Sequence, residues 1–359
     1  MELKAVDLFS GIGIGGLGLK RAGFRIVAAV DNDEGACKIY ENNLQVKPKV
    51  GDLRKIKGSD ILGEIGLQRG ELDLVSGCPP CQGFSSLRRT RLKKKQKDKR
   101  KSLLRVFAQR IDEILPKAFV LENVKGLTLR KNRPFLRGFL AHMARLGYVC
   151  KSDLLDAADY GVPQHRLRFI VIGSRVRSPS LPKRTHSKPT RDEGKPPWRT
   201  ARDAISDLAV LAAGEEDPKD SLHFASAHSE PVLEIISHIP LNGGSRRSLP
   251  DELWLPCHKK LAEKKVRGAE SIYGRMKWDS PSPTMTTRSH LPSCGRFVHP
   301  EQNRGLTLRE VARLQTVPDD FRISGGKDKI AMWIGNGFPT IFSEAIGYCA
   351  AEACLPMSN

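Results

Sequence analysis

The stretch Ala5-Val6-Asp7-Leu8-Phe9-Ser10-Gly11-Ile12-Gly13-Ile14-Gly15-Gly16-Leu17-Gly18 starts as an apolar run and becomes a glycine-rich turn. Ala5 to Phe9 predicts a short strand, and Leu19 to Ala22, closed by Gly23, predicts a helix. Strand, glycine turn and helix together form the opening of a nucleotide-binding α/β unit. Gly11-x-Gly13-x-x-Gly16 lets the backbone turn tightly and approach a ligand at a helix N-terminus. The next apolar run, Ile26 to Val30, ends at Asp31, where a carboxylate can accept hydrogen bonds from ribose hydroxyls. Asp33 and Glu34 beside it also suit the start of a helix from Gly35 to Asn43. Val50-Gly51-Asp52-Leu53 reads as a third strand end. Asp52 there is either a turn residue or a ligand to an adenine amino group, with Leu53 covering the ring.

A second decisive stretch follows the apolar run Leu72 to Val75: Ser76-Gly77-Cys78-Pro79-Pro80-Cys81-Gln82-Gly83-Phe84-Ser85. In an open parallel sheet, ligands bind beyond the carboxyl ends of the strands, so a thiol on this stiff loop faces a cleft. Cys81 is the candidate nucleophile. A redox dithiol, half of a zinc site and a buried structural cysteine are the competing readings of Cys78 and Cys81. Zinc lacks a second ligand pair, since Cys257-His258 has the wrong spacing; two prolines disfavour the helix that a redox pair usually opens. His165, His258, His290 and His299 share no metal-ligand spacing, so no metal is expected.

Ten of the fourteen residues from Arg88 to Lys101 are Lys or Arg, with Asp98 the sole acid. Such a run suits phosphate contact, and Ser86 to Lys101 is expected to be a poorly ordered loop that closes over a polyanion. Helical spacing then returns from Leu103 to Leu115. Ala118 to Leu121 is a continuous apolar strand that runs into Glu122-Asn123-Val124, putting a carboxylate at the same sheet edge as Cys81. A helix is expected near Phe135 to Leu146. Strands at Tyr148 to Leu155 and Phe169 to Ile172 flank Gln164-His165-Arg166-Leu167-Arg168, in which Arg166 and Arg168 share one face.

From Arg175 the composition turns to Pro, Ser, Lys and Arg, as in a linker. The region to about His299 lacks helical periodicity and predicts a loop-rich β module. A short helix from Thr307 to Leu314 and a last one from Thr340 to Ala353 follow. The 359 residues allow two domains, here 1–176 completed by 327–359, and 177–326. A formal net charge of +20, from 60 Lys and Arg against 40 Asp and Glu, points to a polyanionic partner. Eight irregularly spaced cysteines, no signal-like start and no apolar run of spanning length predict a soluble protein of a reducing compartment, with no membrane.

In this order, the pieces resemble the C5-cytosine DNA methyltransferase family over nearly the whole chain. Asp7 to Gly11 through Phe24 is similar to its S-adenosylmethionine loop, with Phe9 where the family stacks the adenine. Ile14 stands where a glycine is usual, Asp31 replaces a glutamate, and Asn32 is not the usual bulky neighbour. Pro79 to Ser85 matches the nucleophile motif, Glu122-Asn123-Val124 the base-contacting motif, and Gln164 to Arg168 the Gln-x-Arg-x-Arg motif. Arg304 to Phe321 resembles the penultimate motif. Gly335-Asn336 resembles the last, with Phe338 in place of valine. Thr284 to Thr287 resembles the threonine motif of the target-recognition domain.

The resemblance implies a Rossmann-like α/β sheet with a second, smaller, loop-rich β domain. It implies methyl transfer to C5 of a cytosine flipped out of a specific double-stranded DNA sequence, through a Cys81-C6 adduct. Cytosine C5 is too poor a nucleophile until a thiolate has added to C6, and Glu122 at N3 lowers the cost of that addition. Arg168 is expected to hold the base O2 and Arg166 to support the carboxylate. Phe9, Gly11, Gly13, Asp31, Asn32, Asp52, Leu53 and Asn336 would bind S-adenosylmethionine. Gln82, Ser85, Arg88, Arg89, Lys93, Lys94, Lys95, Arg100, Thr284 and Thr286 would contact DNA. A prokaryotic, cytoplasmic monomer of a restriction-modification system is implied, and a separate cognate endonuclease is a partner the resemblance allows. An RNA methyltransferase of the same superfamily is the nearest rival. A nicotinamide oxidoreductase has no use for Cys81, Glu122 and the arginine pair together, and a catalytically dead DNA-binding regulator would lose the nucleophile.

Overall fold

The computed structural model describes residues 2–80, 94–188, 194–256, 259 and 271–356, and for 94–102 the backbone alone. The chain forms two compact units. One comprises Met1–Tyr160, Leu167–Arg184 and Gly337–Asn359; the other comprises Gly161–Arg166 and Thr185–Asn336.

The first unit is built on a seven-stranded sheet: β1 (Leu3–Leu8), β2 (Phe24–Asp31), β3 (Lys49–Val50), β4 (Leu74–Gly77), β5 (Ala118–Val124), β6 (Val149–Asp156) and β7 (Leu167–Ser174). Their spatial order is β3-β2-β1-β4-β5-β7-β6. The first five run parallel, and β7 is antiparallel to both β5 and β6. Central strands β4 and β5 are buried on both faces, as continuous apolar runs require, whereas edge strand β6 is largely exposed.

Helices α1 (Ile14–Arg21), α2 (Glu34–Leu44), α3 (Gly58–Ile65), α4 (Lys94–Ile114) and α5 (Arg133–Arg145) cover the sheet. The glycine run does not delay the first helix to Leu19: it starts at Ile14, and Gly13 at φ 92° makes the turn into it. Helix α4 likewise begins inside the basic run. Lys, Arg and Gln are good helix formers, and the stretch continues into the core-facing Leu104, Phe107, Ile111 and Ile114. The backbone from Lys94 to Lys101 is therefore helical where a loop was expected. Phe107 stacks on Phe139 with centroids 6.3 Å apart, and Phe119 meets both edge-on.

The last helix, here called α6 (Thr340–Cys354), packs on α1 through a seam of glycines. A Cβ on Gly18 would come within 2.6 Å of Ser343 Cβ and 2.8 Å of Glu344 N. That close approach is locked by the Thr340 and Ser343 hydroxyls, which donate to the carbonyls of Ile14 (3.2 Å) and Gly15 (2.7 Å).

The expected division at 176/177 and 326/327 shifts to 184/185 and 336/337, and Gly161–Arg166 falls in the second unit. The start of the expected linker is tied to the sheet unit: Tyr160 Oη donates to the Pro182 carbonyl (3.0 Å), and Arg184 pairs with Asp159 (2.9 Å). Helix Lys327–Asn336 belongs to the second unit, where the Gln315 amide donates to the Ile334 carbonyl (2.7 Å). This unit is loop-rich, but among its described residues the β structure amounts to isolated bridges such as Arg275–Val298. Side chains replace the missing ladders. The buried Arg275 donates to the carbonyls of Ile236, Ile239, His299 and Gln302.

Two glycine substitutions separate packing from propensity. Gly18→Ala should lower unfolding stability by about 1–3 kcal/mol through overpacking against the last helix. Gly63→Ala, with open space around its Cβ, should be neutral or stabilise by up to about 1 kcal/mol. Chemical denaturation of the two variants measures both.

Candidate active site

Register assembles one edge of the sheet. Asp7 pairs with Ser76 and Leu8 with Gly77 across β1 and β4, while Gly77 pairs with Leu121 across β4 and β5. The glycine loop, the loop beginning at Cys78, and Glu122 thus leave the sheet side by side, where the strand order reverses. Gly77 lets α4 close over this point, because any Cβ there would run into the Phe107 ring.

Asp31 lies at the end of β2 and reaches across to the glycine loop. Its carboxylate accepts from Gly11 N (2.8 Å) and Asp33 N (3.0 Å). Asp33, not Asp31, caps α2, by accepting from Ala36 N at 3.1 Å. Phe9 holds a left-handed φ of 57°, uncommon for an aromatic residue, while its ring packs partly against the core. Ser10 Oγ is buried with no hydrogen-bond partner. Asn32 is exposed.

Asp52 is engaged by Arg54, whose Nε lies 2.8 Å from Oδ2; this arginine first of all holds the carboxyl below its ordinary value. Leu53 is buried in the core beside Ile56 and Ile61. Asn336 is exposed at the end of its helix in the second unit.

Glu122 and Arg168 are diagonal neighbours on β5 and β7, with Val124 opposite Arg168 and Glu122 opposite Ile170. Arg168 Nε sits 2.6 Å from Glu122 Oε1, and both side chains are little exposed. The expectation for Arg166 needs correcting: Arg168 is the arginine at the carboxylate. Arg166 is buried in the second unit, where it donates to the carbonyls of Met285 (3.0 Å) and Gly335 (3.2 Å). Asn123, buried behind Glu122, donates to the Pro79 carbonyl at 3.3 Å and ties the cysteine loop to β5.

Burial, then the Glu122 and Asp7 carboxylates, push the Cys78 thiol well above its ordinary pKa. A thiol held protonated is a poor nucleophile. Cys81, Gln82, Ser85, Arg88, Arg89 and Lys93 lie outside the described residues, as do the side chains of Lys94, Lys95 and Arg100 and the pair Cys257-His258.

Gln164 is fully buried in the second unit and bridges the Leu314 carbonyl, Gln315 Oε1 and Met285 N, each at 3.0 Å. Thr284 Oγ1 donates to the His165 carbonyl at 2.6 Å, and Thr286 N donates to Ser289 Oγ at 2.6 Å. The expected DNA-contacting threonine Thr284 thus spends its hydroxyl inside its own unit. The exposed side chains of that stretch are Thr287 and Arg288. Among the described residues no group of three or more His, Cys, Asp or Glu is placed to hold a metal ion, and no helix is long and apolar enough to cross a membrane.

A family model described as C-5 cytosine-specific DNA methylase matches residues 3–350. The chain belongs to this family. The methylase is 31% identical to the type II methylase M.HgiDII of Herpetosiphon aurantiacus, over 95% of this chain and 93% of that one. It is 34% identical to the type II methyltransferase M1.HphI of Haemophilus parahaemolyticus, over 100% and 88%. Among solved structures, Dnmt2 of S. pombe superposes with a TM-score of 0.58 at 18% identity, covering 98% of each chain. Entamoeba histolytica EhMeth does so at 0.62 and 16%, covering 98% of this chain and 99% of that one. The methylase accordingly transfers a methyl group from S-adenosylmethionine to C5 of cytosine in DNA.

The residues present fit that cofactor. The orphaned Ser10 hydroxyl, the left-handed Phe9 and Gly11, and the half-buried Asp31 line one loop-and-strand edge with donors and acceptors still to spare.

Asp7 opens the glycine-loop motif but takes no role of its own from the sequence, although an acid inside an apolar strand is the signal. It is buried at the end of β1 and accepts from Tyr40 Oη at 3.2 Å. Desolvation, against the Tyr40 hydrogen bond and with help from Asp31, raises its pKa to about 7. Between pH 4 and 7 the folded state therefore binds a proton that the unfolded state releases, so stability falls as pH rises through this window. Asp7→Asn should remove that slope, on the order of a few kcal/mol across the window. Denaturant midpoints of both proteins from pH 4 to 8 check it.

Proposed function

We propose that the methylase works through Cys81 as nucleophile, Glu122 as the group that holds and protonates the cytosine ring, and Arg168 as the residue that positions Glu122. The observation that supports this reading is that Cys78 lies beside Glu122 while Asn123 pins the Pro79 carbonyl, and in the sequence Cys81 follows two residues after Pro79. The Cys81 thiolate adds to C6 and forms a carbon–sulfur bond. The electron pair moves toward N3, where Glu122 supplies a hydrogen bond or proton, and C5 becomes enamine-like. S-adenosylmethionine, held by Phe9, Ser10, Gly11, Gly13 and Asp31, supplies the methyl group. Loss of the C5 proton to a base and expulsion of the thiolate restore the aromatic ring. The cytosine must leave the duplex for this attack, so the protein has to grip DNA on both sides of the flipped base.

Arg166 and Gln164 keep the Gln-x-Arg-x-Arg strand in shape and take no chemical step. The second unit reads the target sequence, with Thr287 and Arg288 in place of Thr284 as contacts. Because its relatives are named type II methyltransferases, we assign the chain to the modification half of a restriction-modification system, acting as a monomer with a separate endonuclease as counterpart.

Cys81→Ala should abolish methyl transfer and leave DNA and cofactor affinity intact; Cys78→Ala should retain transfer. Wild type should form a denaturant-stable adduct with 5-fluorocytosine DNA that Cys81→Ala loses, and an adduct persisting in that variant would refute the assignment. Glu122→Gln should cost about 10²–10⁴-fold in kcat with little change in cofactor affinity. Asp31→Ala should chiefly raise the KM for the cofactor. Bisulfite sequencing of host DNA reads the product and its sequence context together.

A further inference from the structure

Between Glu122 and Asp153 the chain carries no acidic residue, yet it places Lys125, Arg130, Lys131, Arg133 and Arg137 in its first half. All five are exposed, and none has a carboxylate partner among the described residues. They are not a floppy tail. Lys125–Thr128 is a 3-10 turn anchored by the fully buried Leu127, and the buried Asn132 donates to the Gly126 carbonyl at 2.7 Å. Helix α5 follows, held down by Phe139 and Met143.

Topology fixes where this surface lies. Because β7 is antiparallel to both β5 and β6, β6 runs parallel to β5, and α5 is the crossover between them. Its N-terminus therefore sits at the carboxyl edge of the sheet, the edge that presents Glu122. Helix N-termini favour acids in the first turn, but here that turn holds none and Arg133 opens it. Cations gathered at the positive end of a helix repel one another and the dipole unless an anion joins them. Leu129, 40% exposed, lies among them and offers apolar surface of the kind a deoxyribose face can cover.

We propose that Lys125 to Arg137 is a second phosphate-binding surface of the methylase, which holds duplex DNA on the glutamate side of the flipped cytosine. This rests on the reading of Glu122 as the base-contacting residue. It adds a grip on rigid structure, separate from the basic stretch after Ser85. Phosphate contacts of this type set position and affinity without choosing the sequence.

The test is the salt dependence of binding to a short cytosine-containing duplex, measured by fluorescence anisotropy for the full chain and for Arg130→Gln/Lys131→Gln/Arg133→Gln/Arg137→Gln. The slope of log K against log salt should become shallower by about 2–4, at about 0.9 for each phosphate no longer neutralised. S-adenosylmethionine affinity and the methylated sequence should not change. The charge-conserving Arg130→Lys/Arg133→Lys/Arg137→Lys should keep the wild-type slope. An unchanged slope in the glutamine variant overturns the proposal, and so does a slope reduced equally in the lysine variant. A shift for duplex RNA with none for duplex DNA overturns it too. Should the fourfold variant fail to bind cofactor, Arg130→Gln and Lys131→Gln alone decide, each expected to lower the slope by about 1. If Glu122→Gln proved catalytically silent while these slopes fell as expected, the catalytic reading would fail and the DNA surface would stand.

Discussion

Strand β7 runs against β5, and that reversal brings Arg168 within 2.6 Å of Glu122. In an all-parallel sheet the start of β7 would lie at the opposite edge, far from the carboxyl end of β5. A guanidinium on the neighbouring strand fixes the orientation of a carboxylate without a flexible linker. Asn123 on the same strand holds the cysteine loop through the Pro79 carbonyl. The segment at Pro79 and the Glu122 carboxylate are therefore referred to one strand, β5, whose residues Ala118 to Leu121 are buried.

The glycine-loop edge depends on a different constraint, the closeness of α1 to its neighbours. Gly16 leaves room for Tyr40 and Asp7, with a would-be Cβ 2.8 Å from Tyr40 Oη and 2.9 Å from Asp7 Oδ2. Gly18 leaves room for the C-terminal helix. Gly13, with φ at 92°, turns the chain between the strand and α1. Of the fingerprint glycines, then, Gly11 and Gly13 shape the loop and Gly16 serves packing. The same packing buries Asp7, and desolvation is what raises its pKa.

The second unit holds together by other means. With so few ladder bonds, it buries charged side chains that satisfy loop carbonyls, which the rule against orphaned backbone groups demands. Arg304 donates to both oxygens of Glu310, at 3.0 and 2.7 Å, and both side chains are almost fully buried. Glu310 also receives Thr307 N and closes a capping box on helix Leu308–Leu314. Such a pair adds less to net stability than its geometry suggests, but removing one partner strands a buried charge. His299 packs beside it, and burial pushes its pKa down to about 4. A loop-rich unit with this interior can change its exposed loops while its framework stays put.

Much was already legible along the chain. Apolar run, glycine turn and acid at the next strand end specified the nucleotide-binding half, because strand periodicity and glycine conformation are local properties. Glu122 and the cysteine loop were legible as strand-end chemistry for the same reason. What the sequence could not order was the choice between neighbours: Arg166 and Arg168 alternate identically, yet the β5–β7 register brings Arg168 to Glu122, while Arg166, which precedes β7, donates to Met285 and Gly335 in the second unit. The Thr284 hydroxyl looked free for ligands until the fold paired it with the His165 carbonyl. The basic run looked like a loop because charge predicts exposure, whereas the backbone of its described part, Lys94 to Lys101, is helical because it continues into the core-facing turns of α4. Local chemistry thus determined which residue types stand at the sheet edge. Long-range pairing, which no local pattern encodes, decided which of them face one another.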